Sequence, residues 1–214
     1  KKRRRGINKL IEHGVNLIIL DDAFQHRKVI PTYSLLLSDY SNLYFNDYLF
    51  PRGSLRESKK GSKRADSIVI TKCPENFSQS DKNYIINRVK LSSNQHIFFS
   101  KIKYSEELHS SSDTLKIKKL SNKKVNVVTG IVNSEVLISF LEYKNITVEH
   151  FKYPDHFDYK EKDILKFKDK ITITTEKDYS KLRKFNIENL YYLPISVDIS
   201  EEKIFIETIR DKII

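Results

Sequence analysis

The chain of 214 residues has one cysteine, no methionine and no tryptophan. Lone Cys73 excludes an internal disulfide framework and suits a reducing cytoplasm. Placed before Pro74 at an apparent strand end, it reads as a small buried residue rather than a nucleophile. No apolar run approaches the roughly 18–20 residues needed to span a bilayer, and no signal peptide is visible. No internal repeat stands out. Without an initiator methionine, and with helix and core patterning starting almost at once, the chain is expected to lack its true N-terminus.

What is present indicates a folded protein with an anionic partner. Hydrophobic residues make up 39% of the chain, and the formal net charge is +11. DNA, RNA, anionic lipid surfaces and phosphate-rich substrates all select such a balance. Lys1 to Arg5 is the densest basic block. Ile7, Leu10 and Ile11 fall at helical spacing, and Gly14 can supply a left-handed cap. Val15 to Leu20 reads as a strand buried on both faces. Tyr33–Leu37 and Ser67–Thr71 read as further core strands, and Ser80–Leu91 as a helix.

His96–Tyr104 and Leu115–Leu120 read as two strands of a connector, with a turn at Ser110–Asp113. Strands and helices alternate from Val125 onward, ending in an amphipathic helix with Ile204, Phe205 and Ile209. The pattern predicts an α/β fold. Its expected divisions are 1–95, a connector at 96–121, and a smaller α/β domain at 122–214.

Five segments carry candidate chemistry. Parallel sheets place ligands beyond the carboxyl ends of their strands, so Asp21 and Asp22 are delivered where a magnesium–nucleotide complex could sit. Phe24-Gln25-His26-Arg27 follows them. Phe50 to Glu57 is a loop in which Arg52 or Arg56 could clamp an anionic group. Thr129-Gly130-Ile131 is either a plain turn or a phosphate-accepting strand-to-helix junction, and it is not a Walker A loop. His156, between Asp155 and Asp158, could act as an oriented proton acceptor. Thr174 to Asp178 reads most simply as a capped helix start, with Lys177 available to nucleotide phosphates.

In this order the five segments resemble the tetraacyldisaccharide 4'-kinase family. Asp21-Asp22-Ala23-Phe24-Gln25-His26 is similar to that family's Asp-Asp-Gly-Phe-Gln-His motif, with Ala23 in place of glycine. Phe50 to Glu57 is similar to its Leu-Pro-x-Gly-x-Leu-Arg-Glu loop. Thr129–Ile131, Pro154–His156 and Thr174–Asp178 match three further landmarks.

The resemblance implies a P-loop-kinase-like three-layer α/β/α remainder, a smaller C-terminal α/β domain and a two-stranded connector. It implies transfer of the ATP γ-phosphate to the 4'-hydroxyl of a tetraacylated glucosamine disaccharide 1-phosphate, the lipid A precursor. Asp21 and Asp22 would hold Mg2+, with Gln25, His26 and Lys177 on the nucleotide. Asp22, Arg56, Glu57 and His156 would be catalytic. Peripheral contact with the cytoplasmic face of the anionic inner membrane is implied, and no nucleic acid or obligate protein partner.

The family's Gly-Gly-Thr-Gly-Lys-Thr loop and the Asp that partners its histidine are not in this sequence, so the 214 residues alone are expected to be inactive. Two other readings remain open at this stage. One is a basic nonenzymatic nucleic-acid-binding module, for which no known motif is present. The other is a P-loop phosphotransferase with a different acceptor.

Overall fold

An uninterrupted apolar run becomes a central strand only when it has hydrogen-bonding neighbours on both sides. Ser67–Thr71 meets that condition. In the computed structural model, which describes residues 2–131, 133–167 and 169–213, it lies between two parallel strands. The chain divides into two compact units, Lys1–Ile102 with Val197–Ile214, and Lys103–Ser196.

The first unit opens with α1 (Lys2–Glu12). Gly14 takes φ +76°, and Val15 N–H returns to the Leu10 carbonyl at 3.2 Å, a left-handed helix stop. The sheet begins with β1 (Leu35–Asp39) and β2 (Ser67–Thr71), paired in parallel with Leu37 opposite Val69. Then come α2 (Gln79–Val89) and β3 (His96–Tyr104), which pairs in parallel with β2. Ile68, Ile70, Ile85, Val89 and Phe99 form the core between sheet and helix.

The second unit holds β4 (Glu107–His109), β5 (Thr114–Lys116), β6 (Lys124–Thr129), α3 (Glu135–Tyr143) and β7 (Thr147–Lys152). It continues through α4 (Glu161–Ile164), β8 (Thr172–Thr174), α5 (Glu176–Leu182) and β9 (Leu190–Tyr192). Its sheet order is β5-β4-β9-β8-β6-β7. The four strands from β9 to β7 are mutually parallel, whereas β4 runs antiparallel to both β5 and β9. Val125, Val127, Leu137, Leu141 and Ile173 fill one core cluster, and Val128, Tyr159, Phe167 and Leu182 another.

β10 (Ile195–Ile199) leads back into the first unit and lies beside β3, and α6 (Glu202–Ile213) follows it. Phe205 of α6 packs edge-on against Phe98, with ring centroids 5.0 Å apart.

The structure departs from the sequence reading at Val15–Leu20, expected as a buried strand. It forms no strand, and Leu17 and Ile19 are 57% and 85% exposed. Apolar side chains favour burial, but a strand also requires partners for its backbone groups. Among the described residues no ladder reaches this segment, and β1 is the edge of its sheet. Segment 96–121 is also distributed differently. His96–Tyr104 belongs to the first sheet, its central residues buried, while β4 and β5 form a hairpin in the second. Ile117–Leu120 is a 3-10 helix rather than strand. Residues 197–214, grouped by sequence with the C-terminal domain, lie in the first unit.

Candidate functional site

The first two motif segments meet within the first unit. Arg56 Nη1 lies 3.2 Å from Asp22 Oδ2, a pair exposed to solvent. Arg3 donates to the Asp22 carbonyl at 2.9 Å. Asp22 itself has φ +45°, whereas Ala23 is not among the positive-φ residues. The left-handed step therefore falls one residue before the position where the family motif has glycine, and alanine is accommodated there.

Glu57 receives two guanidiniums, Arg64 at 2.7 Å and Arg27 at 3.3 Å. Partial burial pushes its carboxyl upward, but the hydrogen bonds and charges of Arg64 and Arg27 outweigh this and hold it below the usual range. Arg64 also donates to the Phe24 carbonyl at 3.2 Å and lies 4.7 Å from the Phe24 ring centroid. One arginine thus fastens the segment after Asp22 to the loop carrying Arg56 and Glu57.

Phe24, Gln25, Arg56 and Glu57 line a small shared cleft. His26, whose N–H bonds to the Ala23 carbonyl at 2.8 Å, faces a wider basic concavity with Arg3, Lys9 and Lys28. Asp21 is exposed. Among the described residues, no group of three or more His, Cys, Asp or Glu side chains could hold a metal.

The other three segments meet in the second unit for a topological reason. β8, β6 and β7 are adjacent and parallel, so their carboxyl ends bring Thr174–Asp178, Thr129–Ile131 and the loop from Tyr153 to one edge. Lys177 Nζ lies 2.6 Å from Asp155 Oδ1, and His156 Nε2 is 3.6 Å from Asp155 Oδ2. The Lys177 hydrogen bond, with the nearby His156, holds the Asp155 carboxyl below its ordinary value. His156 is exposed with φ +60°, a left-handed conformation uncommon for a residue bearing a side chain. Thr175 caps α5 by accepting the Asp178 N–H at 3.1 Å, as the sequence reading expected.

Membership is decided by the match of residues 1–214 to the family described as tetraacyldisaccharide-1-P 4'-kinase. The chain belongs to that family. The tetraacyldisaccharide 4'-kinase of Flavobacterium psychrophilum is 38% identical over 213 residues, covering 95% of this chain and 62% of the relative. That of Flavobacterium johnsoniae is 36% identical, covering 90% and 58%. The crystal structure of the apo form of LpxK from Aquifex aeolicus in complex with ATP matches with a TM-score of 0.66 and 26% identity. It covers 92% of this chain and 57% of that one. This kinase-family chain therefore spans about three-fifths of the length of these relatives.

Sequence reading of this family member missed Arg64 and the Lys72–Asp39 pair, 2.6 Å apart at the carboxyl ends of β2 and β1. Burial raises the Asp39 carboxyl, but Lys72 and Ser41 together lower it on balance. No local pattern marks Arg64, whose role exists only once the chain brings it to Phe24 and Glu57. Lys72 directly follows a buried strand, and that position was a usable signal.

Proposed function

We propose that this chain carries part of an ATP-dependent lipid kinase acting on the 4'-hydroxyl of a tetraacylated glucosamine disaccharide 1-phosphate. The observation that supports this most directly is the family match across the whole chain. In this reading Asp21 and Asp22 hold Mg2+. A divalent magnesium ion commonly takes one or two carboxylates, completing its shell with water and phosphate oxygens. Two adjacent carboxylates on an exposed turn suit that demand. Bound there, the ion would neutralise charge on the β- and γ-phosphates.

The protein's own groups do the positioning. The Asp22–Arg56 contact uses one Arg56 nitrogen and leaves further N–H donors for phosphate oxygens. Glu57 holds Arg27 and Arg64, and through Arg64 it orients Phe24 and the adjacent Gln25 and His26 toward the nucleotide. Lys177 aligns Asp155, and His156 beside it supports removal of the acceptor hydroxyl's proton. The basic excess favours peripheral contact with anionic lipid at the inner membrane, at roughly 1 kcal/mol per nearby Lys or Arg.

The test is Mg2+-dependent transfer of radiolabelled γ-phosphate to the disaccharide, using this chain fused to a relative's segment that supplies the Gly-Gly-Thr-Gly-Lys-Thr loop. His156→Ala is expected to lower kcat by about 100-fold or more, the usual contribution of a positioned acid or base. Asp22→Asn, which removes one carboxylate from the metal, is expected to raise the Mg2+ concentration needed for half-maximal transfer. Full activity in both variants, or transfer to another acceptor alone, would overturn the reading.

A further inference from the structure

Behind the exposed Asp155–His156–Lys177 cluster lies a buried polar pair to which the proposed chemistry assigns nothing. Asp178 is fully buried at the start of α5. Its Oδ2 accepts the Gly130 N–H at 2.8 Å and the Thr175 hydroxyl at 2.9 Å. Its Oδ1 is buried with no such partner, and so is the hydroxyl of Tyr159. Both of these oxygens lie 3.0 Å from the point that a Gly130 β-carbon would occupy.

A buried carboxylate oxygen requires a donor, and a buried tyrosine hydroxyl requires an acceptor. Each is available to the other. We propose that Tyr159 and Asp178 form a buried lock that positions Asp155 and His156 against Lys177. The lock joins the segments at the carboxyl ends of three strands. Gly130 follows β6, Tyr159 ends the loop after β7 that carries Asp155 and His156, and Asp178 adjoins Lys177 after β8.

Tyr159 is well placed for this because Tyr153 and Phe157 pack on its ring, with centroids 5.1 and 5.2 Å away. Movement of the hydroxyl therefore carries the loop with it. Burial first, and the Asp178 charge second, push the Tyr159 hydroxyl far above its ordinary pKa, so it remains a donor. Gly130 leaves room for the contact, since any side chain there would meet both oxygens. These are positioning residues. Their functional weight rests on the role proposed for the His156 cluster, but the geometry they impose can be measured without nucleotide.

The experiment is a carbon-13 titration of aspartate carboxyls in the 214-residue chain, comparing wild type, Tyr159→Phe, Asp178→Asn and Lys177→Ala. Lys177→Ala removes the main interaction depressing Asp155 and calibrates the response. Tyr159→Phe, which keeps the ring, is expected to move the Asp155 midpoint in the same direction, toward the unperturbed value of about 3.9. Asp47 and Asp81, depressed by Ser54 and Ser78 in the first unit, are internal references and should not move.

Asp178→Asn keeps the side-chain volume and gives a second reading should Tyr159→Phe fail to fold. An Asp155 midpoint unchanged in either folded variant, even with a lowered melting temperature, would reduce the pair to ordinary core structure and overturn the proposal. No ATP enters the measurement, so failure of the kinase reading would leave its outcome intact.

Discussion

Glu57 shows how a residue with a legible type acquires an illegible environment. The motif containing it could be read from sequence, but its two guanidinium partners come from positions 30 residues before and 7 after it. Their attraction holds the carboxyl below its ordinary value. A depressed carboxylate stabilises the fold fully above its unfolded value of about 4.3, and that contribution is lost as pH falls through the folded value. Glu57→Gln should therefore be less stable than wild type at neutral pH, with the gap closing in acid. Urea-unfolding midpoints measured from about pH 7 to pH 3 check this. A gap independent of pH would contradict it. His156 was equally legible as a residue, but its left-handed backbone was not, because φ there is imposed by the loop joining β7 to α4.

At the scale of elements, the helix read over Ser80–Leu91 is found at Gln79–Val89, and its cap, which the sequence reading did not name, is local. Ser78 accepts the Asp81 N–H at 3.2 Å, and Asp81 accepts the Ser78 N–H at 2.9 Å, a reciprocal box at the start of α2. Ser78→Ala should cost about 1 kcal/mol, read as a lowered denaturant midpoint with an unchanged slope. A loss below a few tenths would mean that α2 is held by its buried Ile85 and Val89 alone. Local signals failed where an element depends on a neighbour. Val15–Leu20 has strand composition, yet lies outside the sheet, while Leu37 on the edge strand β1 is 63% exposed. The same limit explains His96–Tyr104. It reads as one strand of a connector, but pairing with β2 places it in the first sheet and buries its middle.

On the scale of the whole molecule, each unit has its own hydrophobic core. The second is continuous in sequence, residues 103–196, and contains two core clusters. Expressed alone, it should unfold in a single cooperative transition with dispersed amide resonances. The stretch 1–102 alone should not, because residues 197–214 complete the first unit, with Phe205 packed on Phe98. Thermal circular dichroism and proton–nitrogen spectra of the two pieces check the prediction. Cooperative folding of 1–102 by itself would show that β10 and α6 are dispensable to that core.

By itself, the sequence determined the α/β class, most strands and helices, and the five motif segments, because periodicity, caps and motif spacing are local properties. It also contained the family resemblance that the comparison over residues 1–214 then bore out. Only the tertiary structure decided which motifs meet. Asp22 and Arg56 are paired by a fold that joins positions 34 apart, and Lys177 reaches Asp155 across 22. The parallel order β8-β6-β7 placed three loops on one edge, and the return of the chain through β10 assigned its end to the first unit. Hydrogen-bonding neighbours, charge partners and buried contacts are relations between distant residues, and they exist only once the chain has folded.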